Sequence, residues 1–179
     1  MKTDVAVTLT TAEVERVSKF ANDLCDYKRS IGVKSKNFDK GRISDYSLTV
    51  FGVLGEVAVA KYLGVPVDYD FYPGTDGGKD LEYAGRIIQV KTATRRTDLI
   101  FDDLNDFQAD IAILVKHLGG NRDTVETDPR FGIVGWIERD DFMKSYQVKN
   151  YGFGDRAMVT ERFLSPISAF CQKYEERWW

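Results

Sequence analysis

The segment GGKDLEYAGRIIQVKTATRR, residues 77–96, constrains the fold more than any other part of the chain. It predicts two short strands joined by a two-residue turn at Ala84 and Gly85, because glycine supplies the positive φ that such a turn needs. The register follows by counting outward from the turn. The expected facing pairs are Tyr83 with Arg86, Leu81 with Ile88, and Asp80 with Gln89.

Side chains alternate between the two faces of a strand, so this register sorts the hairpin into an apolar and a polar face. The apolar face would hold Leu81, Tyr83, Ile88 and Val90. The polar face would hold Asp80, Glu82, Gln89 and Lys91. Since directly opposed residues have Cβ atoms about 4.5–5.5 Å apart, we expect two carboxylates, an amide and an amine within reach of one another.

The overall composition favours one soluble domain spanning residues 1–179. Hydrophobic residues make up 43% of the chain, charged residues 30%, and the net charge is −3, so any attraction for nucleic acid must come from a local basic patch. Two cysteines without a CxxC spacing indicate free thiols in a reducing compartment. No signal peptide is evident and no stretch approaches the length of a membrane span, which predicts a cytoplasmic protein without a membrane partner.

Two helices are expected before the hairpin, the first of them amphipathic. Thr10 and Glu13 have the spacing of a capping box and would begin a helix that runs to about Arg29. Ser44 is a candidate cap for a second helix that ends at Gly64. The apolar stripe of the second helix is expected to contain Leu48, Phe51, Leu54 and Ala58.

Within the second helix, Gly52 and Gly55 each cost about 1 kcal/mol relative to alanine, which suggests that the helix closely approaches a sheet or a ligand. Glu56 follows directly, in an otherwise apolar run. A helical glutamate is usually solvated, but its neighbours Val53 and Val57 leave little room for a wet face. We therefore expect Glu56 to point into a polar site.

The remainder of the chain predicts an α/β protein with a central mixed β-sheet flanked by helices. The expected strands are a short strand or extended arm around Val5–Leu9, an edge strand at Val67–Tyr72, a buried strand at Asp110–Val115 and a strand at Phe131–Ile137. A loop or short helix is expected over 97–110, and a further helix starts within 137–146. The last helix lies near Pro166, with Phe170 and Tyr174 as its apolar stripe. Trp178 and Trp179 would dock on the body or on a second copy, which leaves a homodimer open.

Basic residues concentrate in two places around these elements. The segment 27–46 contains six lysines or arginines against two aspartates, and two arginines follow the hairpin directly. The candidate phosphate contacts are Lys34, Lys36, Lys40, Arg42, Arg95 and Arg96. A solvated connector is an equally good interpretation of the segment 27–46.

The polar residues suit a hard divalent cation. Mg²⁺ typically takes one or two carboxylates. The candidates are Glu56 and Asp80, with Glu82 as a weaker one, and Gln89 can add an amide oxygen. Lys91 is a pure donor that can orient a water or offset charge on a phosphate oxygen. The alternative is an exposed hairpin face with a salt bridge between Asp80 and Lys91, worth about 0–1 kcal/mol.

The order Glu56, Asp80, Gln89-Val90-Lys91, followed by the apolar strand at Asp110–Val115, resembles the PD-(D/E)XK nuclease superfamily in a QxK variant. The resemblance covers roughly residues 47–137 and implies a restriction-endonuclease-like fold. It also implies that Glu56, Asp80 and Gln89 face Mg²⁺ or Mn²⁺ and that Lys91 is catalytic. Lys79 stands where the pattern has proline, and neutral Gln89 stands at the second acidic position, which favours one metal ion over two.

The resemblance implies a metal-dependent deoxyribonuclease that hydrolyses phosphodiester bonds of DNA in recombination, repair or DNA degradation. Such small enzymes are often carried by viruses and mobile elements, where they would act in the host cytoplasm. Structure-, end- and site-specific cleavage all stay open, as does RNA. The main alternative is a nuclease-like module that binds nucleic acid or protein without cutting, and a third is an unrelated scaffold. A single histidine, His117, disfavours histidine-based zinc chemistry.

Overall fold

The computed structural model describes residues 5–33, 44–72, 77–94, 97–119, 129–152 and 154–175. The helices are α1 (Thr11–Ser30), α2 (Asp45–Leu63), α3 (Arg139–Ser145) and α4 (Ile167–Glu175). The strands are β1 (Val5–Thr8), β2 (Leu81–Tyr83), β3 (Arg86–Ala93), β4 (Leu99–Phe101), β5 (Ile111–His117), β6 (Arg130–Glu138), β7 (Gln147–Asn150) and β8 (Asp155–Val159). Short 3-10 turns lie at Leu104–Asp106 and Glu161–Phe163.

A five-stranded sheet in the order β1-β6-β5-β3-β2 forms the centre of the fold. The β3–β5 pair is parallel and the other pairs are antiparallel, so the sheet is mixed. The predicted α/β class with a central mixed sheet is therefore confirmed. β5 is the strand expected at Asp110–Val115, and its side chains from Ile111 to Val115 are buried, as its continuous apolar run predicts.

The hairpin forms with the predicted register from Leu81 to Ile88, but the expected pair of Asp80 with Gln89 is not part of the ladder, because Asp80 precedes β2. Leu81 pairs with Ile88 and Tyr83 with Arg86. Ala84 and Gly85 both have positive φ, 50° and 71°, which fits the twist of a tight hairpin turn. The apolar face is also confirmed, because Leu81, Ile88 and Val90 are buried in the main core and Tyr83 packs against it.

Helix α2 covers one face of the sheet and packs on α1 as well as on several strands. A Cβ added to Gly55 would lie 1.9 Å from Thr92 Oγ1 on β3, so only glycine permits this approach. The Thr92 hydroxyl in turn donates to the Gly52 carbonyl at 3.4 Å. The predicted close approach of this helix to a sheet is confirmed at Gly55.

By length and composition alone, α2 could cross a membrane, so the expectation that no stretch reaches that length is wrong. It is the one such helix in the part of the chain that the structure describes, and 50% of the apolar window is buried inside the protein. Burial against the sheet and α1 accounts for its apolar composition.

Other sequence expectations for the helices are mostly confirmed. Thr10 and Glu13 form both hydrogen bonds of a capping box, and the Ser44 side chain caps α2. Leu48 is 41% exposed, so its assignment to the buried stripe of α2 is wrong. The segment Val67–Tyr72 is not a strand, since Tyr69 and Phe71 pack on Phe20 of α1 rather than joining a sheet.

A second, three-stranded sheet in the order β4-β8-β7 lies on the other side of the central sheet and was not expected from the sequence. A second core fills the space between the two sheets. Its members come from the central sheet (Ala112, Leu114, Val134, Ile137), from the second sheet (Leu99, Phe101, Ala157, Val159), and from the connecting segments (Phe107, Ala109, Phe142).

Helix α4 is fixed to the end of β6. Phe170 and Tyr174 are buried, as predicted. Glu138 accepts hydrogen bonds from Lys173 at 2.7 Å and from the Tyr174 hydroxyl at 2.5 Å. These bonds, from Lys173 first, lower the pKa of the Glu138 carboxyl.

The contact between α2 and β3 can be tested with two alanine substitutions in the same helix. Gly55→Ala places a methyl group against Thr92 and is expected to destabilise the protein by about 1–3 kcal/mol. Gly52→Ala, which meets nothing within 4 Å, is expected to stabilise it by up to about 1 kcal/mol through helix propensity. Urea unfolding measures both, and equal effects of the two variants would contradict the packing.

Candidate functional site

The candidate site lies at the edge of β3 that the short strand β2 does not cover. Within the described residues, no strand pairs with this edge beyond Ile88. Asp80 precedes β2 instead of lying within it, and its amide donates to the Ile88 carbonyl at 3.1 Å. The Asp80 Oδ2 atom accepts a hydrogen bond of 2.6 Å from the Val90 amide, so the carboxylate takes the place of the missing strand.

A cleft of about 360 Å³ opens at this edge. Four residues singled out from the sequence line it together: Glu56 from α2, Asp80 ahead of β2, and Gln89 and Lys91 from β3. The other lining residues are Gly77, Gly78, Val90, Ile100, Asp102, Asp106 and Gln108. The fold thus brings the predicted catalytic set, which spans three elements, to one concave surface.

A side cavity of about 300 Å³ adjoins the cleft. Glu56 and Asp80 line both spaces, so these two residues stand at the junction. The remaining lining residues of the side cavity are Phe20, Leu24, Lys28, Thr49, Gly52, Val53, Asp68, Asp70, Tyr72 and Lys79.

Gln89 is an unusual residue in the cleft. It is 7% exposed, and its Oε1 atom is buried without a hydrogen-bond partner. A Cβ at Gly78, whose φ is +74°, would lie only 2.8 Å from the Gln89 amide carbon. The glycine backbone therefore holds the amide in place from one side. Because an unsatisfied buried acceptor costs about 1–3 kcal/mol, Oε1 is suited to receive a ligand.

Lys91 lies over an aromatic cluster of the second core. Its Nζ atom is 4.9 Å from the ring centroid of Phe101, within the range of a cation–π interaction. Phe101 is 1% exposed, stacks on Phe107 with a centroid distance of 4.6 Å, and meets Phe142 edge-on at 5.1 Å. The second sheet therefore supplies the surface that orients the lysine head group.

One further residue suggested from the hairpin does not line the cleft, and six others cannot be placed relative to it. Glu82 is exposed and lines neither the cleft nor the side cavity, so its place in the fold does not support the suggestion that it acts as a ligand. Glu82 pairs with Ile87, two residues along the strand from Asp80, which corresponds to a displacement of about 6–7 Å. The six proposed phosphate contacts, Lys34, Lys36, Lys40, Arg42, Arg95 and Arg96, lie outside the described residues.

Sequence reasoning missed two acidic residues of the cleft. Asp102 and Asp106 come from the segment after β4 and line the cleft. Asp102 forms an ion pair of 2.8 Å with Arg156 of β8, and Asp106 closes a capping box with Asp103. The run DDLND, residues 102–106, gave an acidic signal, but its position depends on the unexpected second sheet.

No family model, curated protein or solved structure matches the chain. Within the ranges that the structure describes, no three histidine, cysteine, aspartate or glutamate side chains are grouped so as to hold one metal ion. The predicted ligands that line the cleft are Glu56 and Asp80, with their carboxylates, and Gln89, whose Oε1 is buried without a hydrogen-bond partner. Carboxylate and amide oxygens are the donors that Mg²⁺ and Mn²⁺ accept in proteins, so this set fits such an ion.

The structural role of Asp80 can be separated from its charge by two substitutions. Asp80→Ala leaves the Val90 amide without its acceptor and is expected to destabilise the protein by about 1–3 kcal/mol. Asp80→Asn keeps an oxygen acceptor at that position and should cost clearly less. Urea unfolding in EDTA measures both variants, and an equal loss in the two would show that the carboxylate does not cap β3.

Proposed function

We propose that the protein is a metal-dependent DNA nuclease of the PD-(D/E)XK type, with a variant of the restriction-endonuclease-like fold. The observation that supports this function is the shared cleft of Glu56, Asp80, Gln89 and Lys91 at the uncovered edge of β3. The central mixed sheet, with the hairpin at one edge and α2 against it, supports the fold assignment.

Glu56, Asp80 and Gln89 would hold one Mg²⁺ or Mn²⁺ ion. The buried Oε1 of Gln89, which has no hydrogen-bond partner, supports a ligand at this point more directly than the two carboxylates do. When bound, the ion would make water acidic enough to attack at neutral pH and would offset the charge of the phosphate. Gly78 would keep the Gln89 amide in position for that role.

Lys91 would place its ammonium group beside the scissile phosphate. The side chain can only donate hydrogen bonds, so it would bind a phosphate oxygen or orient the attacking water. The Phe101 ring would limit the positions open to the ammonium group and leave it directed into the cleft. Proximity and orientation of this kind are large contributions to catalysis.

DNA is the proposed partner, and basic residues outside the described ranges would contact its backbone. These are Lys34, Lys36, Lys40, Arg42, Arg95 and Arg96. Such contacts carry no sequence information, which fits cleavage governed by DNA structure or ends. A role in recombination, repair or DNA degradation, in the cytoplasm of a cell or of a viral host, is consistent with such an enzyme.

A second candidate function is binding of nucleic acid or protein without cleavage. Gln89 favours it, because a neutral amide holds a divalent ion more weakly than the carboxylate expected at that position of the motif. The two candidate functions use the same cleft and differ in whether a phosphodiester bond is hydrolysed there.

Plasmid nicking with Mg²⁺ or Mn²⁺ distinguishes the two candidates. Wild-type protein is expected to relax supercoiled DNA, and Lys91→Ala should lower the rate by about 10²–10⁴-fold, the usual contribution of a positioned proton-transfer or donor group. Lys149→Ala is the matched control, since Lys149 is exposed on β7 and lines neither the cleft nor the side cavity. Binding without nicking by wild-type protein would support the non-cleaving module and exclude the nuclease.

Gln89→Glu tests the metal ligands without relying on activity. Burying a carboxylate at this position should lower the melting temperature in EDTA. Mn²⁺ should then raise the melting temperature by more than it does in wild type, because a carboxylate holds the ion more tightly than an amide does. An ion that binds only the folded state stabilises that state by about 2.7 kcal/mol at 100 times its Kd. Gln147→Glu, on the exposed strand β7, provides the same charge change away from the cleft. An identical Mn²⁺ response in both variants would contradict metal binding at Gln89.

A further inference from the structure

The side cavity is lined by apolar, aromatic and charged residues, a combination that suits a nucleobase-like ring. Its apolar lining comes from Phe20 and Leu24 of α1 and Val53 of α2, and Tyr72 lines it as well. Its volume is about 300 Å³, at the lower end of the range for small-ligand sites. It opens onto the cleft at Glu56 and Asp80, so a group bound there would lie next to a phosphate in the cleft.

Tyr72 is oriented by its own loop. Its hydroxyl donates to Asp68 Oδ2 at 2.6 Å, while Asp68 Oδ1 accepts from the Asp70 amide at 2.8 Å. The residue as a whole nevertheless remains 39% exposed. The neighbouring Phe71 stacks on Tyr27 with a centroid distance of 5.5 Å, which anchors the loop to α1. An exposed aromatic ring in a fixed orientation is suited to stacking.

The charges around the side cavity argue against a phosphate as its occupant. Two lysines, Lys28 and Lys79, face four carboxylates. The carboxylates are Glu56, Asp68, Asp70 and Asp80. In the metal-free protein this excess of negative charge disfavours an anion, whereas the amino groups at the edge of a nucleobase would find acceptors in carboxylates such as Asp68 and Asp70.

We propose that the side cavity binds one unpaired nucleobase of the substrate, stacked on Tyr72 and adjacent to the phosphate held in the cleft. The preferred substrate is then single-stranded or locally unpaired DNA, because a paired base must first leave its stack at a cost of a few kcal/mol. This inference rests on the proposed nuclease function for the identity of the neighbouring phosphate. The base pocket itself rests on the cavity, its aromatic ring and its charge.

Binding of a fluorescent single-stranded oligonucleotide, measured by anisotropy in EDTA, tests the pocket without any cleavage. Base stacking on an aromatic side chain contributes about 1–3 kcal/mol, so Tyr72→Ala should weaken binding by about 5- to 140-fold. Tyr72→Phe keeps the ring and should lose less than Tyr72→Ala. Phe163→Ala is the matched control, because Phe163 is 41% exposed and lines neither the cleft nor the side cavity.

A scan with abasic nucleotides identifies the base that occupies the pocket. Removing one base at the right position should weaken binding to wild-type protein by the same factor as Tyr72→Ala does on the intact strand. The two changes should not add, because they remove the same contact. The base-pocket proposal would be overturned if the two losses in binding free energy added fully at every position, or if Tyr72→Ala bound the strand as tightly as Phe163→Ala does.

The same variants separate this inference from the nuclease proposal. If wild-type protein nicks DNA but prefers a blunt duplex to the single strand, the base pocket is wrong and the nuclease proposal stands. If wild-type protein never nicks DNA with either metal, while Tyr72 and one abasic position remain coupled in binding, the pocket stands and the nuclease proposal fails.

Discussion

The contact between α2 and β3 at Gly55 and Thr92 determines where the candidate site can form. A helix with any larger residue at position 55 would stand farther from the sheet, since even a methyl group would overlap the threonine hydroxyl. The next residue, Glu56, would move away from the edge of β3 with it. A glycine that is unfavourable for an isolated helix is therefore consistent with its tertiary surroundings.

The second constraint is the unequal length of the hairpin strands. β3 extends well beyond β2, and its exposed edge carries backbone groups that need partners. The Asp80 carboxylate accepts a hydrogen bond from one of them, the Val90 amide, which holds a carboxylate in the lining of the cleft. The polar residues then lie between two apolar cores, one under α2 and one under the second sheet. The Asp80 side chain thus both accepts a hydrogen bond from the backbone of β3 and serves as a proposed metal ligand.

The hairpin and its register were predictable because turn chemistry and side-chain alternation are local properties of the sequence. The inward position of Glu56 was also predictable, from its apolar neighbours. The second sheet was not, because β7 is fully exposed and β8 is short, so neither carries a clear periodic signal. Phe101 beneath Lys91 depends on that sheet and is a long-range contact, which no local pattern encodes. The segment Val67–Tyr72 has the alternating pattern of a strand, but its aromatic side chains pack against Phe20 of α1 instead of joining a sheet.

The central claim is that Glu56, Asp80 and Gln89 direct their oxygens at one common point. A crystal of the protein soaked with Mn²⁺, recorded at a wavelength where manganese scatters anomalously, tests it most directly. The account predicts one anomalous peak in the cleft, with both carboxylates and Gln89 Oε1 within about 2.0–2.3 Å, as hard oxygen ligands require. A peak at another place on the surface, with the cleft residues in contact with no ion at saturating Mn²⁺, would contradict it.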